Sequence, residues 1–549
     1  MESSPPPSPP ARSTPDDDVP ALRGFRLVGM LTLVSRLLGM ARDVVMAAAF
    51  GAGPVMDAFS VAFRVPNLAR RLFGEGAQTS AFLPAFIRVH EQDGLAAAQQ
   101  LAGGMFLSLG RLLIVLVVAG EIGLALVWWL VPLSPDAALL TELLMWLLPY
   151  LVFICLAAQQ AAVLHGLRSF GWPAALPIVL NLIWLAAIPL AFVWTDDPAD
   201  RMRWLCMAIV LAGLLQVAIP VAILRRRGFP MMSFDAATRE RVQGVFRAMA
   251  PVLLGVTVTQ INTVFDSVVA WLLAPGTAGA SSAVSHWLNW LPQLPNGTAS
   301  ALYFGQRMYQ FPLGMIGVGL GTVLFPQFTR HAERGDLPSL NRDLTDGLKL
   351  TLSIGVPAGV GLMLLAAPIT RLLFQHGAFS LEAGALTSRM IVAYGVGVAA
   401  FIGLLIVQRG YYAVGDRITP VRHALAAMGV NVVLDFVLLH PCGAVGLAWA
   451  TSLAACVQLS LATWSLQPRI GRLPWREIAV TAVQTGAASV AMGVVCWLTT
   501  PEPSSGLAAR ATAVAVPLVA GAVAYFGMAA IVGLREPWLL VRHGSIDRR

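Results

Sequence analysis

The chain has 549 residues, 57% of them hydrophobic and only 12% charged, with a mean hydropathy of +0.71. An average soluble domain carries about 25% charged residues, so the polar coat that water demands is missing. A large soluble enzyme, a disordered chain and a fibrous protein are excluded. The formal net charge of +8 does not indicate nucleic acid. The basic residues are scattered through short gaps between apolar runs, where they act as topology signals.

In chain order, residues 1–23, rich in Pro, Ser and Asp, read as a disordered cytoplasmic tail with no cleavable signal peptide. About 20 apolar residues span a bilayer core. Helices are therefore predicted at about 25–50, 57–87, 99–131, 137–166, 172–194, 203–224, 246–273, 300–329, 348–374, 382–414, 422–439, 443–466, 477–499 and 508–534. The expected fold class is an all-α polytopic membrane protein with about 14 transmembrane helices. An even count places both termini on one side. With a cytoplasmic N-terminus, inner loops and tails hold about 23 arginines, against Arg201, Arg203, Arg371 and Arg510 outside. Cys155, Cys206, Cys442, Cys456 and Cys496 lie in or beside apolar runs, with neither disulfide nor zinc spacing. No Walker loop is present, so ATP is not the direct fuel. GLGTV (Gly319–Val323) reads as close helix packing. Between the seventh and eighth helices, residues 274–299 form an uncharged insertion, with Trp287 and Trp290 suited to the membrane interface.

Two stretches of the sequence are also alike, through an internal repeat or through chance similarity between apolar segments. The second helix opens AFSVAFR (Ala58–Arg64) and closes FLPAF (Phe82–Phe86); the eighth opens ALYFGQR (Ala301–Arg307) and closes LFPQF (Leu324–Phe328). This suggests two six-helix lobes around a central cavity, plus two C-terminal helices, a common build of transporters. The implied division is 24–225 (N-lobe, helices 1–6), 226–245 (basic cytoplasmic linker), 246–468 (C-lobe, helices 7–12), 469–535 (helices 13–14) and 536–549 (cytoplasmic tail).

Charge inside these helices is costly, about 2.5–3.5 kcal/mol for a central arginine on the insertion scale. The first helix nevertheless carries Ser35, Arg36, Arg42 and Asp43. The second begins at Asp57 and carries Arg64, Asn67, Arg70, Arg71 and Glu75. At about 100° per residue, Arg64, Asn67, Arg71 and Glu75 share a face, with Pro66, Gly74 and Gly76 able to bend it. Such polarity must line a hydrated cavity. With Arg307 the set is cationic overall, and guanidinium forks suit a bidentate phosphate. In the other half, Asn431 and Asp435 stand four apart on one helical face. Asp266 and Thr451 add further hard oxygens, suited to Na⁺ or a proton relay. The alternative for this second set is polar bridging between packed helices.

From Ser35 to Phe86 the chain reads SRLLGMARD…AAAFGAGPVMDAFSVAFRVPNLARRLFGEGAQTSAFLPAF. With RMYQFPLGMIGVGLGTVLFPQF (Arg307–Phe328), LLFQHGAFS (Leu372–Ser380) and GYYAVGDRITPV (Gly410–Val421), it resembles the MurJ/MviN family of lipid II flippases. That family lies within the multidrug/oligosaccharidyl-lipid/polysaccharide exporter superfamily. The resemblance covers about residues 24–535. It implies a V-shaped cationic cavity between two lobes and a lipid-tail groove from helices 13 and 14. It implies essential cavity arginines at Arg36, Arg42, Arg70 and Arg307, with Arg64 standing where many members have Lys, and Ser35, Asp43, Asp57, Asn67, Glu75 and Ser300 also match its pattern. Together with Arg71 from the shared helical face, the expected pyrophosphate and head-group contacts are Arg36, Arg42, Arg64, Asn67, Arg70, Arg71 and Arg307, and the expected polar or gating residues are Ser35, Asp43, Asp57, Glu75 and Ser300. The resemblance implies a Na⁺ site at Asp266, Asn431, Asp435 and Thr451, Na⁺ being a coupling ion rather than a cofactor. Gln306 and Gln310 flank Arg307 where some members carry acids, which leaves a charge relay there in doubt.

The expected activity is transport without catalysis. Lipid II (undecaprenyl-pyrophosphate disaccharide-pentapeptide) passes from the inner to the outer leaflet of the bacterial cytoplasmic membrane for cell wall biosynthesis. Membrane lipids and cell wall synthesis proteins are the expected partners of a monomer. The alternatives are a flippase for another polyprenyl-pyrophosphate glycan and a multidrug exporter of the MATE type, which the arginine excess disfavours. A membrane glycosyltransferase would need a large loop with catalytic acids, which the sequence lacks.

Overall fold

A computed structural model describes residues 15–229, 236–275, 290–501 and 506–541. These residues form α1 (Pro15–Phe50), α2 (54–92), α3 (Gly94–Leu130), α4 (Pro135–Gly166), α5 (Gly171–Trp194), α6 (Pro198–Arg226) and α7 (Ala236–Leu272). They continue through α8 (Thr298–Glu333), α9 (337–373), α10 (Leu381–Ala413), α11 (Thr419–Cys442), α12 (Val445–Ile470), α13 (Trp475–Thr499), α14 (Leu507–Ile531) and the short α15 (Glu536–Val541). Each of the predicted membrane helices has its counterpart among the first fourteen segments. Eleven helices among the described residues are long and apolar enough to cross a bilayer. The others, α1, α2 and α7, carry much of the polar set.

The short links follow from local chemistry. Ser134 accepts from the Ala137 amide at 3.2 Å, Asp336 from Ser339 at 3.1 Å and Ser380 from Ala383 at 3.1 Å, which caps the starts of α4, α9 and α10. α6 ends with Arg225 and Arg226 in its last turn, where cations complement the negative end of the helix dipole. α1 begins at Pro15, inside the stretch expected to be an unstructured tail; Asp16, Asp17 and Asp18 follow and favour a helix start. Residues 1–14 and 542–549, also assigned to tails, lie outside the described residues. The linker expected at 226–245 is shorter than predicted, because α7 already begins at Ala236. Arg241 on its first turns pairs with Asp93 at 3.1 Å.

Three helices are interrupted. α2 runs as Pro54–Ala62 and Arg64–Ala69, a π-helix over Arg70–Phe82, then Leu83–Gln92. α8 has a π turn at Leu313–Gly317, and α9 breaks at Leu365. The π winding starts the same distance after Arg64 in α2 as after Arg307 in α8. Thus the repeat read in the sequence extends to an unusual backbone form, one that concentrates at functional sites.

Packing is divided among several apolar clusters. One joins α1–α6 through Met46, Phe59, Phe82, Leu109, Leu147, Trp184 and Leu205, and reaches Phe304 and Phe374. Another joins α8, α9, α10 and α12 through Phe328, Leu344, Ile406, Tyr411 and Leu466. A smaller one holds α13 to α14 through Met492, Cys496 and Tyr525. The outer surface is apolar as well: Trp129 is 88% exposed, Val193 83% and Ile531 80%. A surface of this kind belongs in lipid. Trp128, Trp129, Trp194 and Trp497 sit at helix ends, the usual place for interfacial anchors.

Candidate functional site

The centre of the polar set is Asp43. Its carboxylate accepts from Arg42 Nη2 at 2.8 Å and Arg42 Nε at 3.1 Å, and pairs with Arg307 Nε at 3.3 Å. Tyr303 Oη donates to the same group at 3.3 Å and accepts from Arg307 Nη2 at 3.0 Å. One buried acid thus serves two guanidinium groups, one from each half of the chain. α5 completes the cradle. Asn181 Oδ1 accepts from Arg42 Nη1 at 3.1 Å, and Asn181 Nδ2 donates to the Ser35 carbonyl at 3.1 Å. Trp184 lies under the Arg42 guanidinium at 4.5 Å, with Phe59 and Phe63 edge-on to its ring. Arg42 is therefore fixed in direction, while Arg307 keeps 24% of its side chain open.

Amides and hydroxyls are among the partners of the other arginines. Arg64 donates to Ser267 Oγ at 3.1 Å and Gln306 Oε1 at 2.8 Å. Arg71 donates to Gln260 Oε1 at 2.8 Å, and Arg70 to Asn67 Oδ1 at 3.0 and 3.2 Å. Arg36 is exposed, and its guanidinium rests against Gly314 in the π turn of α8. Arg64 and Arg71 both reach α7, as a shared face requires, but Asn67 turns back to Arg70. The 100° step fails beyond Ala69 because the winding becomes π. The Glu75 side chain lies outside the described residues. Gln310 accepts from Arg307 at 3.4 Å, so the residues flanking Arg307 provide dipoles without neutralising charge. The described ion pairs of this cluster both fall on Asp43.

Asp57 does not join the arginines. It is buried and accepts from Gly297 N at 2.6 Å, Ser300 N at 2.7 Å and Ser300 Oγ at 2.5 Å. Its charge meets the start of α8, where free amides and the helix dipole favour an anion. Around it the backbones close up. Ala378 N donates to Ala48 O at 2.8 Å. Gly51 (φ 66°) and Gly297 (φ 88°) leave no room for a side chain: a Cβ would lie 2.5 Å from Ala378 O and from Ala52 O respectively. The links after α1, before α8 and after α9 thus form a seal at one end of the molecule.

The second set is also brought together. Asp266, Asn431 and Asp435 are fully buried. Thr451 Oγ1 donates to Asp266 Oδ2 at 2.9 Å. With its amide nitrogen inward, Asn431 donates to Asn262 Oδ1 at 2.6 Å and to Asp266 Oδ1 and Asp435 Oδ2 at 3.1 Å, and accepts from Thr451 N at 3.0 Å. With its oxygen inward it faces the same carboxylates, an arrangement that a cation would stabilise. Asp435 Oδ1 is buried without a hydrogen-bond partner. Two buried carboxylates, amide oxygens and a hydroxyl form a hard-oxygen donor set.

An apolar groove of about 530 Å³ lies between α9 and α13. Val356 and Val360 line it from α9, and Gly486, Ser489, Gly493 and Trp497 from α13. α14 packs on another side of α13 through Met492, Cys496 and Tyr525. Trp287 lies outside the described residues; Trp290 stacks on His440 at 5.8 Å. At GLGTV, Gly321 admits the Arg409 guanidinium, so packing there includes a charged group. Sequence reasoning missed Asn181, Trp184, Tyr303, Gln260 and Asn262. Asn181 had a usable signal, being a lone amide in an apolar helix; the others reveal themselves only by contact.

A family model described as lipid II flippase MurJ matches residues 46–504. A lipid II flippase MurJ of Burkholderia cenocepacia is 30% identical over 532 residues, covering 93% of this chain and 98% of that one. The fold is similar to that of a lipid II flippase MurJ in an inward closed conformation, with TM-score 0.74, 22% identity, and coverage of 93% of this chain and 99% of the other. It is also similar to an inward-facing multidrug resistance MATE family transporter of the MOP superfamily, with TM-score 0.64, 14% identity, and coverage of 81% and 97%. Matched well beyond half its length, the chain belongs to the MurJ family of lipid II flippases.

Proposed function

We propose that this chain carries lipid II from the inner to the outer leaflet of the bacterial cytoplasmic membrane, with both termini cytoplasmic. The observation that carries the reading is the arginine cluster, whose described ion pairs share a single carboxylate. A diphosphate is complementary to a cationic cluster, and Arg307, Arg64, Arg70, Arg71 and Arg36 offer it guanidinium donors. The head group cannot cross hydrocarbon alone, since its many polar groups would lose water. The tail stays in lipid, and the apolar groove between α9 and α13 suits it. No bond is made or broken.

The two six-helix lobes rock about the site, and opening the Asp57–Ser300 seal exposes the cargo to the far side. Asp266, Asn431, Asp435, Thr451 and Asn262 fit a Na⁺ ion, which neutralises the paired carboxylates. Membrane potential is a second source of work, about 2.3 kcal/mol per charge per 100 mV.

The test is translocation of fluorescent lipid II in proteoliposomes. Arg307→Ala is expected to abolish it while the protein remains inserted. Retained translocation by Arg307→Ala contradicts the cationic-cavity reading.

A further inference from the structure

Arg510, at the start of α14, is one of the few arginines placed outside by the charge pattern. Its Nη1 lies 2.9 Å from Gln375 O, 3.3 Å from Arg371 O and 3.4 Å from His376 Nδ1. Those acceptors end α9 and open the α9–α10 loop. Carbonyls at a helix C-terminus lack intrahelical partners and carry partial negative charge, so a guanidinium is a strong cap there. His376 is held in turn, its Nε2 2.8 Å from Leu372 O. Two residues further on, Ala378 makes the backbone bond to Ala48 that closes the seal.

The α13–α14 hairpin, which carries Arg510, is tied to α9 elsewhere too. Tyr525 Oη of α14 donates to Ser353 O, and Lys349 Nζ pairs with Glu477 of α13 at 3.9 Å and with Glu536 of the adjoining α15 at 3.2 Å. The groove between α9 and α13 therefore lies on a body fastened to α9 along its length. Arg510 is the fastening nearest the seal.

We propose that Arg510 is a positioning residue for transport: it holds the α9–α10 loop in the sealed position and ties the seal to the α13–α14 hairpin. A lipid tail entering the groove then bears on the same body that carries the seal loop. The proposal rests on the transporter reading only for the direction in which the seal faces.

The test is thiol labelling at the seal. In a Cys442→Ser background, Ala52→Cys is labelled with a membrane-impermeant maleimide in spheroplasts and in permeabilised membranes. Adding Arg510→Ala is expected to raise the labelling rate about tenfold, equivalent to about 1.4 kcal/mol in favour of the open form. His376→Ala, which removes one acceptor, is expected to raise it less, and Arg510→Lys to restore part of the protection. Labelling at the parental rate in inserted Arg510→Ala overturns the proposal; if that variant fails to insert, parental labelling of His376→Ala does so. Native Cys442, exposed at the end of α11, reports orientation separately. If it reacts only after permeabilisation, the assigned orientation fails, while the comparison in permeabilised membranes still decides the role of Arg510.

Discussion

Asp43 is the residue on which the site turns, because two guanidinium groups from distant parts of the chain meet there. Arg42 is oriented by the Asn181 amide and the Trp184 face. A hydrogen bond to a charged group contributes about 1.5–3 kcal/mol. Asn181→Ala is therefore expected to leave insertion intact and to lower lipid II translocation about tenfold or more, read in the proteoliposome assay. An unchanged rate dismisses Asn181 as an orienting group. Much of this level was legible in the sequence: charge in a membrane helix is expensive, so Arg36, Arg42, Arg64, Arg70, Arg71 and Arg307 stood out. Their partners did not. Gln260, Tyr303 and Trp184 are ordinary residues until tertiary contact brings them to an arginine.

Among the elements, helix existence was readable because a membrane span needs a long apolar run. Internal winding was not. Pro66 and the glycines of the second helix signalled a bend, but the π form over Arg70–Phe82 reassigns faces in a way that no fixed angular step anticipates. The seal was equally hidden, since it consists of backbone approaches between links far apart in sequence. Gly51 shows the cost of disturbing it: the left-handed conformation alone penalises an L side chain by about 1–2 kcal/mol, and the added Cβ would also meet Ala378 O. Gly51→Ala is expected to loosen the seal and increase labelling of Ala52→Cys in the Cys442→Ser background. Labelling no faster than in the Gly51 parent contradicts the close-packed seal.

At the scale of the molecule, the fold presents two polar centres of opposite character. The cationic one suits an anionic head group. The other, with Asp266 and Asp435 side by side with Asn431, suits a cation. Asp435→Ala is expected to remove any dependence of transport on Na⁺; a Na⁺ response equal to the parent's dismisses that centre as the coupling site. The most direct test of the whole account is complementation. The host flippase is depleted, this chain is expressed, and lipid II exposure at the outer face of the cytoplasmic membrane is followed. Exposure and growth are expected to recover with the parental chain and to stay lost with Arg307→Ala. Failure of the inserted parental chain to restore exposure, or recovery with Arg307→Ala, would contradict the account.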